Sequence, residues 1–184
     1  AISILEFLID KHKKFLEPYQ RLSSLYLDLC WESSGSLRKH YLDLRAKYVS
    51  MAYDVDPTDE LNIAWKLSDQ IQTDQYEEAI LTAEKALLIY PDDSEVYRQM
   101  ANAYSFLEDN DMAIQAFSKA IEVDPENGFL YMQLGDLFYR DLEDYDQALT
   151  YYKQANIVAH NNAPQPYYGM INCSFQLNQL DSIP

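Results

Sequence analysis

The chain has few of the residues that interrupt regular structure. It contains 4 Gly and 7 Pro in 184 residues. Together with abundant Ala, Leu, Gln and Glu, this favours helices. Four glycines could hardly build a phosphate-cradling loop. There are 2 Cys. Cys30 and Cys173 are far apart and sit beside apolar or aromatic neighbours, so buried spectator thiols are expected, with no disulfide framework. A reducing, cytoplasmic setting follows as the expectation. The 3 His (His12, His40, His160) stand alone, none in a paired metal-ligand spacing, so no metal or cofactor is expected. Lys and Arg number 14 against 30 Asp and Glu, a net charge of -16. Such a surface repels phosphate backbones and argues against nucleic acid as a partner. No apolar run approaches the length of a membrane span, so direct membrane insertion is not expected. The start AISILEFLID is apolar but holds Glu6 and Asp10, which makes it a poor signal peptide.

What is present is an ordinary folding composition, 48% hydrophobic and 24% charged, with 16 Tyr. The length suffices for one domain with a substantial core. Charge is uneven. Residues 1–58 carry 8 basic and 8 acidic side chains; residues 59–184 carry 6 and 22. The beginning at Ala1 and the stop at Pro184, just after a turn signal, suggest a fragment of something longer.

Helical spacing predicts a first helix from residue 2 to a break at Glu17-Pro18, because the residue before a proline avoids the α region. A second is predicted over Pro18–Trp31 and a third over Ser36–Tyr53, with Ser33-Ser34-Gly35 between them as a turn. From there the chain is periodic. Ala52, Ala86 and Ala120 lie 34 residues apart, and Ala155 follows after 35. Pro57, Pro91 and Pro125 keep the 34-residue interval, as do Ala79 and Ala113, with Ala148 after 35. Such self-similarity marks an array of helical repeats, each too small to bury its own apolar face. The alanines suit close approach of two helices, the aromatics fill holes between neighbours, and the proline stops the second helix. Acidic turns such as Glu108-Asp109-Asn110-Asp111 and Glu143-Asp144-Tyr145-Asp146 suit helix capping.

The pattern resembles the tetratricopeptide repeat. Tyr97, Met100-Ala101 and Tyr104 stand at the spacing of its first-helix signature, and Ala113, Phe117, Ala120 and Pro125 at that of its second. Tyr131, Leu134-Gly135, Phe138, Ala148, Tyr152 and Ala155 repeat it, with one extra residue in the turn near Leu142 and His160 in place of the proline. The copy at about 60–93 keeps Tyr76, Ala79, Ala86 and Pro91; its first helix matches through Trp65, Leu67 and Ser68 if its turn is one residue short. The resemblance implies an all-α, right-handed α-solenoid of stacked antiparallel helix pairs. The expected organisation is a capping helix over 1–17, a degenerate pair over 18–57 and an array over 58–184, with copies at about 60–93, 94–127, 128–161 and a partial 162–184.

The resemblance also implies binding of a protein or peptide in a concave groove lined by the first helices. Facing away from the packed stripe are Arg98, Gln99, Asn102 and Phe106 in one copy, and Met132, Gln133, Asp136, Tyr139 and Arg140 in the next. These are either contact residues or solvated polar positions. One subset of the family clamps a chaperone peptide's C-terminal carboxylate. Arg98, Asn102 and Gln133 stand where three clamp residues would fall, but Pro164 and Tyr168 occupy the other places. Tyr139, Tyr151 and Tyr167 fall off the core stripe, as interface anchors or as partly exposed amphipathic rings. No clustered acid, base or nucleophile suggests catalysis. The expected function is an interaction scaffold or adaptor. The alternatives are a regulatory or docking domain of a larger enzyme, and self-association through an unpaired last helix that leaves Tyr168, Met170, Ile171 and Phe175 in need of cover.

Overall fold

Every regular element among the described residues is an α-helix. The structure, a computed structural model, describes residues 1–159 and 164–180; His160 lies outside them. The chain divides into two compact units, Ala1–Ile89 and Tyr90–Pro184.

The first unit holds α1 (Ile2–Lys11), α2 (Leu16–Trp31), α3 (Gly35–Val55), α4 (Glu60–Gln72) and α5 (Tyr76–Leu87). The break after α1 falls at Lys11 rather than at Glu17-Pro18, and Pro18 is the third residue of α2. The N–H groups of a first helical turn have no intrahelical acceptor, so proline removes nothing there and its fixed φ is already helical. Tyr19, Leu22, Tyr26, Tyr48 and Ala52 form the buried cluster between α2 and α3, with Ile2, Leu5 and Ile9 of α1 packed against it. Tyr26 and Tyr48 stack at 5.6 Å, and the Tyr48 hydroxyl donates to Glu6 at 3.1 Å. Asn62, fully buried, donates from its amide to the Ala52 and Asp56 carbonyls at 3.1 and 3.0 Å. It thereby gives the Asp56 carbonyl a donor and adds a second one to the Ala52 carbonyl, which already accepts the Asp56 N–H.

The turn before α5 is not shortened. It spans 73–75, three residues, as the corresponding turn at 107–109 does. Its left-handed residue Asp74 (φ 59°) recurs as Glu108 (φ 61°), 34 positions on. Ile63 and Leu67 therefore stand in the places of Tyr97 and Ala101, both buried, and Trp65 lies only half-buried beside them. The backbone period is intact; the side chains filling it have changed.

The second unit holds α6 (Ser94–Phe106), α7 (Asn110–Val123), α8 (Gly128–Arg140), α9 (Tyr145–Val158) and α10 (Pro164–Leu180). The turn between α8 and α9 has four residues, 141–144, with left-handed Glu143 at φ 51°. Asp59, Asp93 and Asn127, 34 residues apart, each cap the following helix by accepting from its first-turn N–H groups. Ala101, Ala113, Ala116, Phe117, Leu134 and Leu137 form the core of α6–α8. Tyr151 joins that core, stacking on Phe138 at 5.3 Å, because α9 leans this face back onto α8.

Tyr152 is the wedge of α8–α10. A Cβ added at Gly135 would lie 3.0 Å from its ring, and one added at Gly169 would lie 2.7 Å from it. The ring occupies the space two glycines leave. Burial raises its hydroxyl well above the usual tyrosine range, helped by its hydrogen bond to Asp136 at 2.7 Å.

Candidate interaction surface

The first helices of the two regular copies in the second unit, α6 and α8, share one half-exposed polar face. Its N-terminal half is organised by a carboxylate that the sequence reading does not single out. Glu95 accepts from the Arg98 Nε at 2.7 Å and from the Gln99 amide at 2.9 Å, and pairs with a second Arg98 nitrogen. The i, i+3 and i, i+4 spacings that allow this are visible in the sequence. The Arg98 guanidinium lies over the Phe129 ring, 5.6 Å from its centroid, another residue absent from the sequence expectation. Across the helices, Arg98 donates to Gln133 at 3.4 Å, and the Gln133 amide donates to Asn102 at 3.4 Å.

The structure thus joins Arg98, Gln99, Asn102 and Gln133 into one network. Phe106 and Arg140 lie farther along, lining a concavity of about 530 Å³ with Ser105, Glu108, Asn110 and Asp141. Met132, Asp136 and Tyr139 turn toward α9 and α10. Met132 borders a concavity of about 460 Å³ with Phe129, Gln165 and Pro166. Asp136 holds the Tyr152 hydroxyl, and Tyr139 makes an edge contact with Tyr145 at 5.5 Å.

Chemically, the network offers amide donors and acceptors rather than a free cation. The guanidinium already faces a carboxylate, so an incoming C-terminal carboxylate would have to displace Glu95. Tyr168 is 68% exposed at a place where a clamp needs a cation. Among the described residues no three His, Cys, Asp or Glu side chains gather as a metal site, and no helix is long and apolar enough to cross a membrane.

Models of the tetratricopeptide repeat match residues 94–127 and 129–156. Over those residues the chain carries two tetratricopeptide repeats. Its fold is similar to MamA from Desulfovibrio magneticus RS-1, at 19% identity and TM-score 0.69, covering 88% of this chain and 85% of that one. It is also similar to a thermophilic tetratricopeptide protein of Thermus thermophilus, at 18% identity and TM-score 0.68, covering 89% and 84%. The tetratricopeptide domain of Sgt2 from Aspergillus fumigatus aligns at 21% identity and TM-score 0.60, covering 66% and 82%. At these identities the likeness is one of fold, the right-handed solenoid of stacked antiparallel helix pairs. No curated protein matches the sequence. The matched repeats make the tetratricopeptide chain a protein-interaction scaffold in general terms.

Proposed function

We propose that the α6–α8 face binds an extended peptide or a loop of a partner protein, and that the chain acts as an adaptor with no turnover of its own. The observation that carries this is the pair of 3.4 Å links from Gln133 to Arg98 and Asn102. They are long for hydrogen bonds, so exchanging them for bonds to a peptide backbone costs little. The Phe106 ring and the concavity beside it supply an apolar anchor point. A cytoplasmic setting goes with this reading, since Cys30 and Cys173 are both buried free thiols.

The test is affinity capture with the intact chain against an Arg98→Ala/Asn102→Ala variant, reading captured proteins by mass spectrometry and Tm in parallel. The expected result is a partner lost from the variant with Tm unchanged. Identical partner sets at equal Tm would sink the reading.

A second reading rests on α10. Tyr168, Ile171 and Phe175 on it are each 60% exposed or more. That face suits docking of another helix, including one from a second copy. An Ile171→Ser/Phe175→Ser variant that keeps every partner and the same sedimentation coefficient would remove it.

A further inference from the structure

Helix α1 is apolar on two faces. Ile2, Leu5 and Ile9 pack on the α2–α3 core. On the opposite side Ile4, Phe7 and Leu8 are exposed, and Phe15 follows in the connection, 61% exposed. Apolar side chains on two opposite faces of one helix belong in contact with something on both sides, with Ser3, Glu6 and Asp10 forming the polar flank between them. Cations surround this second face. Lys11, Lys13, Lys14 and Arg21 are all exposed, with Lys11 lying over the Phe7 ring at 5.7 Å. Leu8, Phe15 and Arg21 also border a concavity of about 530 Å³ between α1 and α2. Glu6, Asp10 and Glu17 are the nearby opposing charges in the sequence.

A surface with the complementary chemistry occurs on the turn edge of the second unit. Phe106 and Leu107 are exposed beside Glu108, Asp109 and Asp111, and Leu142 is exposed among Asp141, Glu143 and Asp144. The two turns lie together: the Ser105 hydroxyl donates to Asp141 at 3.1 Å, and the concavity lined by Phe106 and Arg140 opens between them. Its volume of about 530 Å³ is ample for one phenyl ring. Arg140 brings a positive charge to this acidic edge, as Glu6, Asp10 and Glu17 bring negative charge to the basic one.

We propose that the exposed face of α1 docks on this acidic turn edge of a second copy of the chain. The contact is heterologous, so it leaves an unused donor and acceptor surface on every pair and extends to oligomers. One short helix face against two turns makes a small contact, so the association is expected to be weak and salt-dependent. The net charge of -16 opposes approach of a second copy as it opposes approach to anionic headgroups. The copy is favoured by a local match, since its turn edge sets Glu108, Asp111 and Glu143 around exposed Phe106, Leu107 and Leu142 and so meets the lysines and the apolar side chains together. The proposal does not require the peptide reading of the α6–α8 face or the reading of α10, but it places a second occupant in the Phe106 concavity, so α1 and a bound peptide would compete there.

Sedimentation velocity over a series of concentrations and NaCl levels tests it, with circular dichroism to confirm folding. The expected result is association at low salt that weakens by about tenfold or more at high salt. Two charge-reversal variants follow, Lys11→Glu/Lys13→Glu/Lys14→Glu and Glu108→Lys/Asp111→Lys/Glu143→Lys. Each alone should be monomeric, and an equimolar mixture of the two should associate again. A wild-type chain monomeric throughout would overturn the proposal, as would association that survives both reversals. Flotation with anionic phosphatidylserine vesicles, lost in the lysine variant while the wild type stays monomeric, would assign the face to a membrane instead.

Discussion

Helices α3 and α7 end two 34-residue periods apart, at Val55 and Val123, but close their packing by different chemistry. Ala79 and Ala113, both fully buried, lie 34 residues apart where two helices meet. The residue 34 positions earlier again is Arg45. It is buried and paired with Asp69 of α4. The contrast extends further. The described buried polar side chains (Ser23, Arg45, Asn62, Asp69, Gln70 and Thr82) all lie in the first unit. One backbone period therefore tolerates two cores: a close contact of small apolar residues, and an ion pair with buried hydrogen bonds. The second is less forgiving, because losing one partner strands the other. Among the described residues Asp69 Oδ2 and Gln70 Oε1 accept no protein hydrogen bond, so the Arg45 guanidinium is the principal partner of this carboxylate.

The largest effect should come from breaking the ion pair alone. Arg45→Ala is expected to destabilise the first unit by about 3–5 kcal/mol in denaturant unfolding. Arg45→Met with Asp69→Leu should recover most of that loss, since both buried charges then go. A single variant within about 1 kcal/mol of the wild type would show that the pair is already hydrated, and the contrast with Ala113 would lapse.

Next in size is the wedge of the apolar unit. Gly169→Ala puts a methyl group 2.7 Å from the Tyr152 ring, which is buried and tied to Asp136 and so cannot swing aside. The expected loss is about 1–3 kcal/mol, exceeding the helix-propensity gain of about 1 kcal/mol that Gly→Ala otherwise brings. Tyr152→Leu in the same chain should remove most of the penalty, seen as coupling in a double-mutant cycle.

These two sites also mark what the sequence could convey. Small residues and aromatics at fixed intervals were legible because close packing restricts their volume, so 94–127 and the copy after it could be read residue by residue. Arg45–Asp69 was not, since two charges 24 positions apart carry no periodic signal. The slot at Ile63 and Leu67 misled in another way: a different apolar side chain filled it, and the nearby Trp65 suggested a shifted register. The α6–α8 network was half visible. Helical spacing named Arg98, Gln99 and Asn102, while Glu95 and Phe129 needed the fold to bring them beside Arg98. The uncovered face of α1 was not legible, because Ile2, Leu5, Leu8 and Ile9 fit helical spacing as one stripe, and only the packing separates Leu8 from it.

Alkaline titration sets the two cores side by side. Burial, with the hydrogen bond to Glu6, pushes Tyr48 up to about 12, and burial with the Asp136 bond raises Tyr152 further in the same direction. A phenol whose folded value exceeds its unfolded value of about 10 stabilises fully below pH 10. That contribution is lost as pH rises from 10 through the folded value. Stability should therefore fall steeply above pH 10. Tyr48→Phe and Tyr152→Phe should each flatten that limb, at a cost near neutrality of about 1 kcal/mol for the lost hydrogen bond. A limb unchanged in both variants would trace alkaline unfolding to other groups.

The smallest effects distinguish the copies at their helix starts. Asp109 accepts from the Met112 N–H at 3.3 Å and Asp144 from the Gln147 N–H at 3.0 Å. In the copy before them the same place is Gln75, whose longer side chain makes no cap to α5. Its amide group sits one methylene too far out to turn back onto the N–H two or three residues on. Gln75→Asp should therefore raise the first unit's stability by about 0.5–1 kcal/mol, while Asp109→Ala should lower the second unit's by about 1 kcal/mol. Adding Asp at 75 also places a carboxylate at the positive end of α5, beside Glu77 and Glu78, which already lie in its first turn. Their repulsion sets the low end of that range. A gain that grows with salt would identify the repulsion as the limit on capping; a gain that shrinks with salt would identify the helix dipole as its main source.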